Sequence, residues 1–155
     1  MSLSTKEIIE ECNDLIRFDH DAIGAYDEAI ENIQEVFIKD QLMEFRGDHE
    51  RHVMDLSVVV RQLGGNPPER PGARGILRKT MTKIAGLMGT EMSLKAMRSN
   101  EEVLNKQYGD RLKKLFPPAI LDLISRNYSD EQRHLAWVQQ ALQTRIWEQQ
   151  PITQP

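Results

Sequence analysis

Four stretches of this chain place apolar residues at alternating steps of three and four, and nothing else in the sequence constrains its fold as tightly. The first line includes Ile8, Cys12, Leu15, Ala22, Tyr26, Ile30 and Ile33; the second, Ile38, Leu42, Phe45, Leu56, Val59 and Leu63. The third runs through Leu87, Leu94, Met97, Leu104, Tyr108, Leu112 and Leu115, and the fourth through Ile120, Ile124, Val138 and Ala141. Such spacing returns to one face of an α-helix, so each stretch has an apolar stripe to bury. Gly and Pro concentrate between Gly64 and Gly89, which reads as hairpin, crossover, hairpin. The expectation is an all-α antiparallel four-helix bundle, with helices near 4–34, 36–63, 90–115 and 118–147. Ser4 followed by Glu7 is a capping-box start, and Pro117–Pro118 breaks the chain and opens the last helix. A single domain over 1–147, a crossover over 64–89 with its own short helix near 74–87, and a polar tail over 148–155 complete the expected organisation.

Each apolar line is interrupted at the same depth. Asp19, His49, His52, Glu101, Glu131 and His134 continue the three-and-four spacing on faces that should be apolar. A buried, unpaired charge is costly, so such groups are neutralised, paired or bound to metal. The interruptions also repeat. "DHERH" at 48–52 and "DEQRH" at 130–134 are nearly the same five letters, 82 positions apart. The same step of 82 carries Asp19 to Glu101, Tyr26 to Tyr108, Ile38 to Ile120 and Asp40 to Asp122. The two hairpins therefore read as pseudo-symmetric halves.

Glu131 and His134 stand at i and i+3, so both project from one helical face into one volume. Di-iron and di-manganese bundles are assembled in this way, with a carboxylate from each of two helices and Glu-x-x-His from each of the others. Asp19, His49, His52, Glu101, Glu131 and His134 fill those places. Carboxylates are hard ligands able to span two ions, and imidazole suits iron, manganese or zinc. Asp48 and Asp130 lie just off the inward line, where each could accept the outer N–H of the histidine on the other hairpin. Arg51 and Arg133 could pair with those aspartates. Taken singly, His52 and His134 would each read as a core histidine satisfied by an aspartate. Six such residues at one depth read as a metal site, or else as a polar core of carboxylates and imidazolium. Tyr26 and Tyr108 read either as core aromatics or as groups hydrogen-bonded beside the metal. His20 falls off the inward line, outside the ligand set.

With these residues in view, the chain resembles the ferritin-like superfamily, whose di-metal members carry a D/E-E-x-R-H signature like "DEQRH". Within that group it resembles rubrerythrin-related bundles and an uncharacterised bacterial four-helix-bundle family with a similar "LGG.P" ending to its second helix. The resemblance implies two divalent metal ions, iron foremost with manganese or zinc as alternatives. It also implies oxygen or peroxide reduction or ferrous oxidation, and a homodimer or larger homo-oligomer. The second reading is a non-catalytic metal-binding or polar-core bundle serving as a stress-related scaffold or interaction module. One position departs from the resemblance: His49 stands where it places a bridging Glu, and Asp19 is one carbon shorter than a Glu. Three carboxylates leave the +4 of two ferrous ions incompletely balanced, so zinc, a single metal or an asymmetric pair are further expectations.

Composition adds exclusions. A net charge of −4 gives no general case for nucleic acid as partner. No apolar run reaches the roughly 20 residues of a membrane-spanning helix. The start "MSLSTKEIIEE" lacks a secretory apolar segment, and Cys12 is the single cysteine, so a reducing, cytoplasmic setting is expected. Within the crossover, Arg74, Arg78, Lys79 and Lys83 alternate with Ile76, Leu77, Met81, Ile84 and Leu87. That basic amphipathic pattern fits a solvated crossover helix or one that meets an anionic surface.

Overall fold

The first helix, α1 (Thr5–Asn32), starts on the capping box: Glu7 N–H donates to Ser4 Oγ at 3.2 Å, and Ser4 N–H donates to Glu7 Oε2 at 2.7 Å. In this computed structural model, which describes residues 2–70 and 89–149, three further α-helices follow. They are α2 (Val36–Gln62), α3 (Gly89–Arg111) and α4 (Pro118–Gln143). A 3-10 turn at Ile146–Glu148 comes last. The expected helix near 74–87 and its basic face lie outside the described residues, as does nearly all of the expected tail.

The shared cores fix the direction of each helix. One apolar cluster gathers the start of α1 (Ile8, Cys12, Leu15) with the ends of α2 (Leu56, Val60) and α3 (Leu104, Tyr108) and the start of α4 (Leu123, Ile124). The other gathers the end of α1 (Ala29) with the starts of α2 (Ile38, Leu42, Phe45) and α3 (Leu94, Met97) and the end of α4 (Val138, Ala141). Hence α1 and α4 run one way and α2 and α3 the other, and equivalent helices of the two hairpins lie antiparallel about a pseudo-two-fold axis. The bundle is thus the all-α four-helix architecture expected from the spacing. Between the two apolar clusters lies a polar layer.

Where the apolar lines drift, helical geometry explains it. A straight helix turns about 20° per heptad relative to a 3.5-residue repeat. Accordingly Val60 is buried while Val59 and Leu63 are half-buried, and Ala29 is buried beside a half-buried Ile30. The third line overruns the helix: α3 stops at Arg111, Leu115 is 58% exposed, and Phe116 turns inward in its place. The fourth helix likewise ends at Gln143 rather than near 147.

The end of α2 uses its two glycines differently. Gly64 adopts φ 85°, its N–H donates to the Arg61 carbonyl, and Gly65 N–H donates to that of Val60. These two bonds satisfy the last carbonyls in a Schellman ending. At Gly65 a Cβ would lie 2.8 Å from Ile9 Cγ2, so the close approach of the following segment to α1 requires glycine. That segment then covers His20. The ring, off the inward line as expected, is nevertheless buried, with Nε2 3.2 Å from the Pro68 carbonyl.

Candidate metal centre

Asp19 from α1, His49 and His52 from α2, Glu101 from α3, and Glu131 and His134 from α4 are all fully buried in the polar layer. The helical repeat aims each of them inward, and the two apolar clusters seal them from both ends. Their ligand atoms form two overlapping sets, Asp19–His49–His52–Glu131 and His49–Glu101–Glu131–His134, each gathered within 4.8 Å. His49 and Glu131 belong to both sets.

The outer nitrogens of two histidines are fixed by the opposite hairpin. His52 Nε2 is 2.9 Å from Asp130 Oδ2, and His134 Nε2 is 2.8 Å from Asp48 Oδ2. An ionised carboxylate can only accept, so both histidines carry the proton on Nε2 and turn Nδ1 to the centre. Arg51 bonds Asp48 at 3.1 Å and also pairs with Asp130; Arg133 reaches Asp48 at 2.6 Å and Asp130 at 3.2 Å. Two arginines and two aspartates thus alternate in a closed ring over the seam between α2 and α4. Phe45 packs inside that seam, its ring centroid 4.4 Å from that of His134.

The tyrosines cross between the halves as well. Tyr26 of α1 donates to Glu101 Oε1 at 2.5 Å, and Tyr108 of α3 donates to Asp19 Oδ2 at 2.5 Å. Sequence reasoning missed Asn105, one turn beyond Glu101. Its amide donates to the Glu101 and Glu131 carbonyls at 2.8 and 2.9 Å, tying α3 to α4 beside two of the acidic groups. Asn127 is buried too, with Nδ2 3.5 Å from the Tyr108 hydroxyl. A polar residue at an inward or half-inward helix position was the available signal for both.

Charge inside the layer is balanced by carboxylates against imidazoles. Burial alone would depress the histidines, but their acidic neighbours outweigh it. The hydrogen-bonded Asp130 and Asp19 together with the nearby Glu131 raise His52 to about 10, and the hydrogen-bonded Asp48 together with the nearby Glu101 and Glu131 raises His134 to about 9. His49 is likewise raised, by Glu131, Asp19 and Glu101 against its burial. Burial opposes ionisation of Asp19 and Glu101, yet their histidine partners hold both below the usual carboxylate range. Glu131 is different: burial prevails and pushes it up.

The donor atoms fit a metal better than they fit one another. Glu131 Oε1 lies 3.1 Å from His52 Nδ1 and 3.4 Å from His49 Nδ1, and Oε2 lies 3.5 Å from His134 Nδ1. Despite these distances, neither Glu131 oxygen has an aligned hydrogen bond, and Glu101 Oε2 and His134 Nδ1 are also without one. Buried polar atoms are rarely left unmatched. His49 and His52 do bond Asp19 and Glu101 within the cluster, yet Glu101 Oε2, both Glu131 oxygens and His134 Nδ1 converge unmatched, an arrangement that suits a cation.

Comparison with known proteins agrees with this architecture. A domain of unknown function, DUF2383, matches residues 7–114, and the chain belongs to that family. No curated protein matches it in sequence. Among solved structures, it is similar to a ferritin-like, diiron-carboxylate protein from Bacillus anthracis str. Ames. There the TM-score is 0.69 at 22% identity, over 92% of this chain and 99% of that one. It is also similar to a two-domain protein from Anabaena variabilis that contains DJ-1/ThiJ/PfpI-like and ferritin-like domains. In that case the TM-score is 0.78 at 13% identity; the match covers 99% of this chain but only 41% of the longer protein. At these identities the likeness concerns the fold. Among the described residues, no helix is long and apolar enough to cross a membrane.

Proposed function

We propose that this DUF2383 chain is a ferritin-like di-metal carboxylate protein that performs non-haem iron or manganese redox chemistry, namely oxygen or peroxide reduction or ferrous oxidation. The observation that carries the reading is the set of unmatched buried atoms on Glu101, Glu131 and His134, converging with Asp19, His49 and His52. In this reading those six residues hold the ions, and the ions when bound supply one-electron steps and a binding position for a small oxidant. The likeness to the ferritin-like, diiron-carboxylate protein of Bacillus anthracis supports it.

The chain's own groups have definable tasks. Asp48 and Asp130 hold His134 and His52 in the tautomer that leaves Nδ1 free, and Arg51 and Arg133 hold the aspartates. Tyr26 and Tyr108 hydrogen-bond one oxygen each of Glu101 and Asp19, leaving the other oxygen of each for an ion. The apolar clusters above and below exclude bulk water. A homodimer or larger homo-oligomer is the proposed assembly, and the bundle over 1–147 the proposed domain.

A second reading has its own supporting observation. Three imidazoles with raised pKa against three carboxylates form a core that balances its charge without metal, which suits a non-catalytic scaffold. Anaerobic addition of ferrous ion to chelator-treated protein, followed by oxygen, separates the two. The redox reading expects stoichiometric ferrous uptake, oxygen consumption and a new visible absorption. Uptake without oxygen consumption, or no uptake at all, refutes it.

A further inference from the structure

Around the six inward residues the polar layer follows its pseudo-two-fold axis closely. Asp19 corresponds to Glu101, Tyr26 to Tyr108, Asp48 to Asp130, and His52 to His134, and each hydrogen bond crosses to the other half. The remaining pair, His49 and Glu131, lies where both halves meet and is chemically unlike. A residue there must face both halves, and each does. Glu131 turns Oε1 to His52 and Oε2 to His134, at 3.1 and 3.5 Å. His49 turns Nδ1 to Asp19 Oδ1 at 2.8 Å and Nε2 to Glu101 Oε1 at 3.2 Å. Its ring therefore has no nitrogen left over for a protein donor or acceptor outside the centre.

We propose that His49 bridges the two ions through its ring, Nδ1 serving the ion of Asp19 and His52 and Nε2 serving the ion of Glu101 and His134, with Glu131 beside the ring turning one oxygen to each half. The proposal rests on the reading of the layer as a di-metal centre and says what kind of centre it is. Two metal–nitrogen bonds of about 2.0–2.1 Å on opposite sides of an imidazole place the ions about 6 Å apart. Two-metal sites built on oxygen bridges hold their ions about 3.5–4 Å apart. Charge also closes. Four protons leave to solvent as the ions bind, two from the His49 ring and one from Nδ1 of each of His52 and His134, and the bridging imidazolate carries −1. With Asp19, Glu101 and Glu131 the ligands total −4, matching two divalent ions. Two nitrogens and two carboxylate oxygens per ion select borderline transition ions, such as zinc, cobalt or ferrous iron, over magnesium or calcium.

The test is zinc loading of chelator-treated protein, with stoichiometry by elemental analysis after dialysis and positions by anomalous diffraction or X-ray absorption at the zinc edge. Wild type should hold two zinc ions about 6 Å apart. His49→Gln, which cannot offer two ring nitrogens, should lose one equivalent. His49→Glu should keep two ions and draw them to about 3.5–4 Å. Two zinc ions at the shorter distance in wild type, or two at an unchanged distance in His49→Gln, overturn the bridge while leaving the di-metal reading standing. A single zinc in wild type, or none, removes both.

Discussion

Replacing Tyr108 by Phe in metal-free protein should destabilise the fold considerably more than the symmetry-related Tyr26→Phe. Both changes delete one hydroxyl and leave the ring in place, so packing is nearly constant. Tyr108 is the hydrogen-bond donor to Asp19 Oδ2, on a carboxylate with no exposure to solvent. Its loss also leaves Asn127 Nδ2 without the hydroxyl it faces at 3.5 Å. Tyr26 donates to Glu101 Oε1, an oxygen that also faces His49 Nε2 at 3.2 Å. A hydrogen bond to a charged group contributes about 1.5–3 kcal/mol, most where nothing replaces it. Tyr108→Phe should therefore cost about 2–3 kcal/mol and Tyr26→Phe about 1–1.5 kcal/mol. For a chain of this size those losses correspond to about 5–10 °C and about 2–5 °C in Tm. Urea and thermal unfolding of the three chelator-treated proteins, followed by far-UV circular dichroism, give both quantities. Equal losses, or a larger loss for Tyr26→Phe, would refute the assignment of these hydroxyls to their carboxylates.

Two other outcomes follow from the buried groups. His52 and His134 titrate in the metal-free fold at about 10 and about 9 against an ordinary 6.5, so their stabilisation is fully present below pH 6.5 and is lost as pH rises through those values. The Tm of chelator-treated protein should accordingly fall between pH 6.5 and 10, and a flat Tm over that range in thermal melts would contradict the imidazolium pairing. Cys12 is fully buried, and burial pushes its thiol up to about 11. An aromatic disulfide reagent near pH 8 should leave the native protein unmodified and take one equivalent in concentrated guanidinium; rapid native labelling would place Cys12 on the surface.

Much of this molecule is legible in the chain because a helix converts sequence spacing into direction without help from anything distant. The three-and-four lines put Asp19, His49, His52, Glu101, Glu131 and His134 on inward faces. The repeat of 82 positions brought them to one depth, and the same repeat paired Asp48 with His134 and Asp130 with His52 across the hairpins. Helix ends were less legible. The apolar line past Arg111 continues to Leu115, yet the chain leaves the helix and buries Phe116, because the connection into Pro117–Pro118 outweighs local periodicity. His20 reads as an outward residue on its own helix. It is buried by a segment that reaches it only after the glycine ending of α2 folds back along α1. The exchange of the tyrosines, Tyr26 to Glu101 and Tyr108 to Asp19, and the turning of the His49 ring so that each nitrogen faces a different half, are decided by the packed bundle alone. Spacing along a helix sets where a side chain begins. Which partner its terminal atoms meet depends on the distance and rotation between helices, and those are set by how two apolar clusters close around the layer between them.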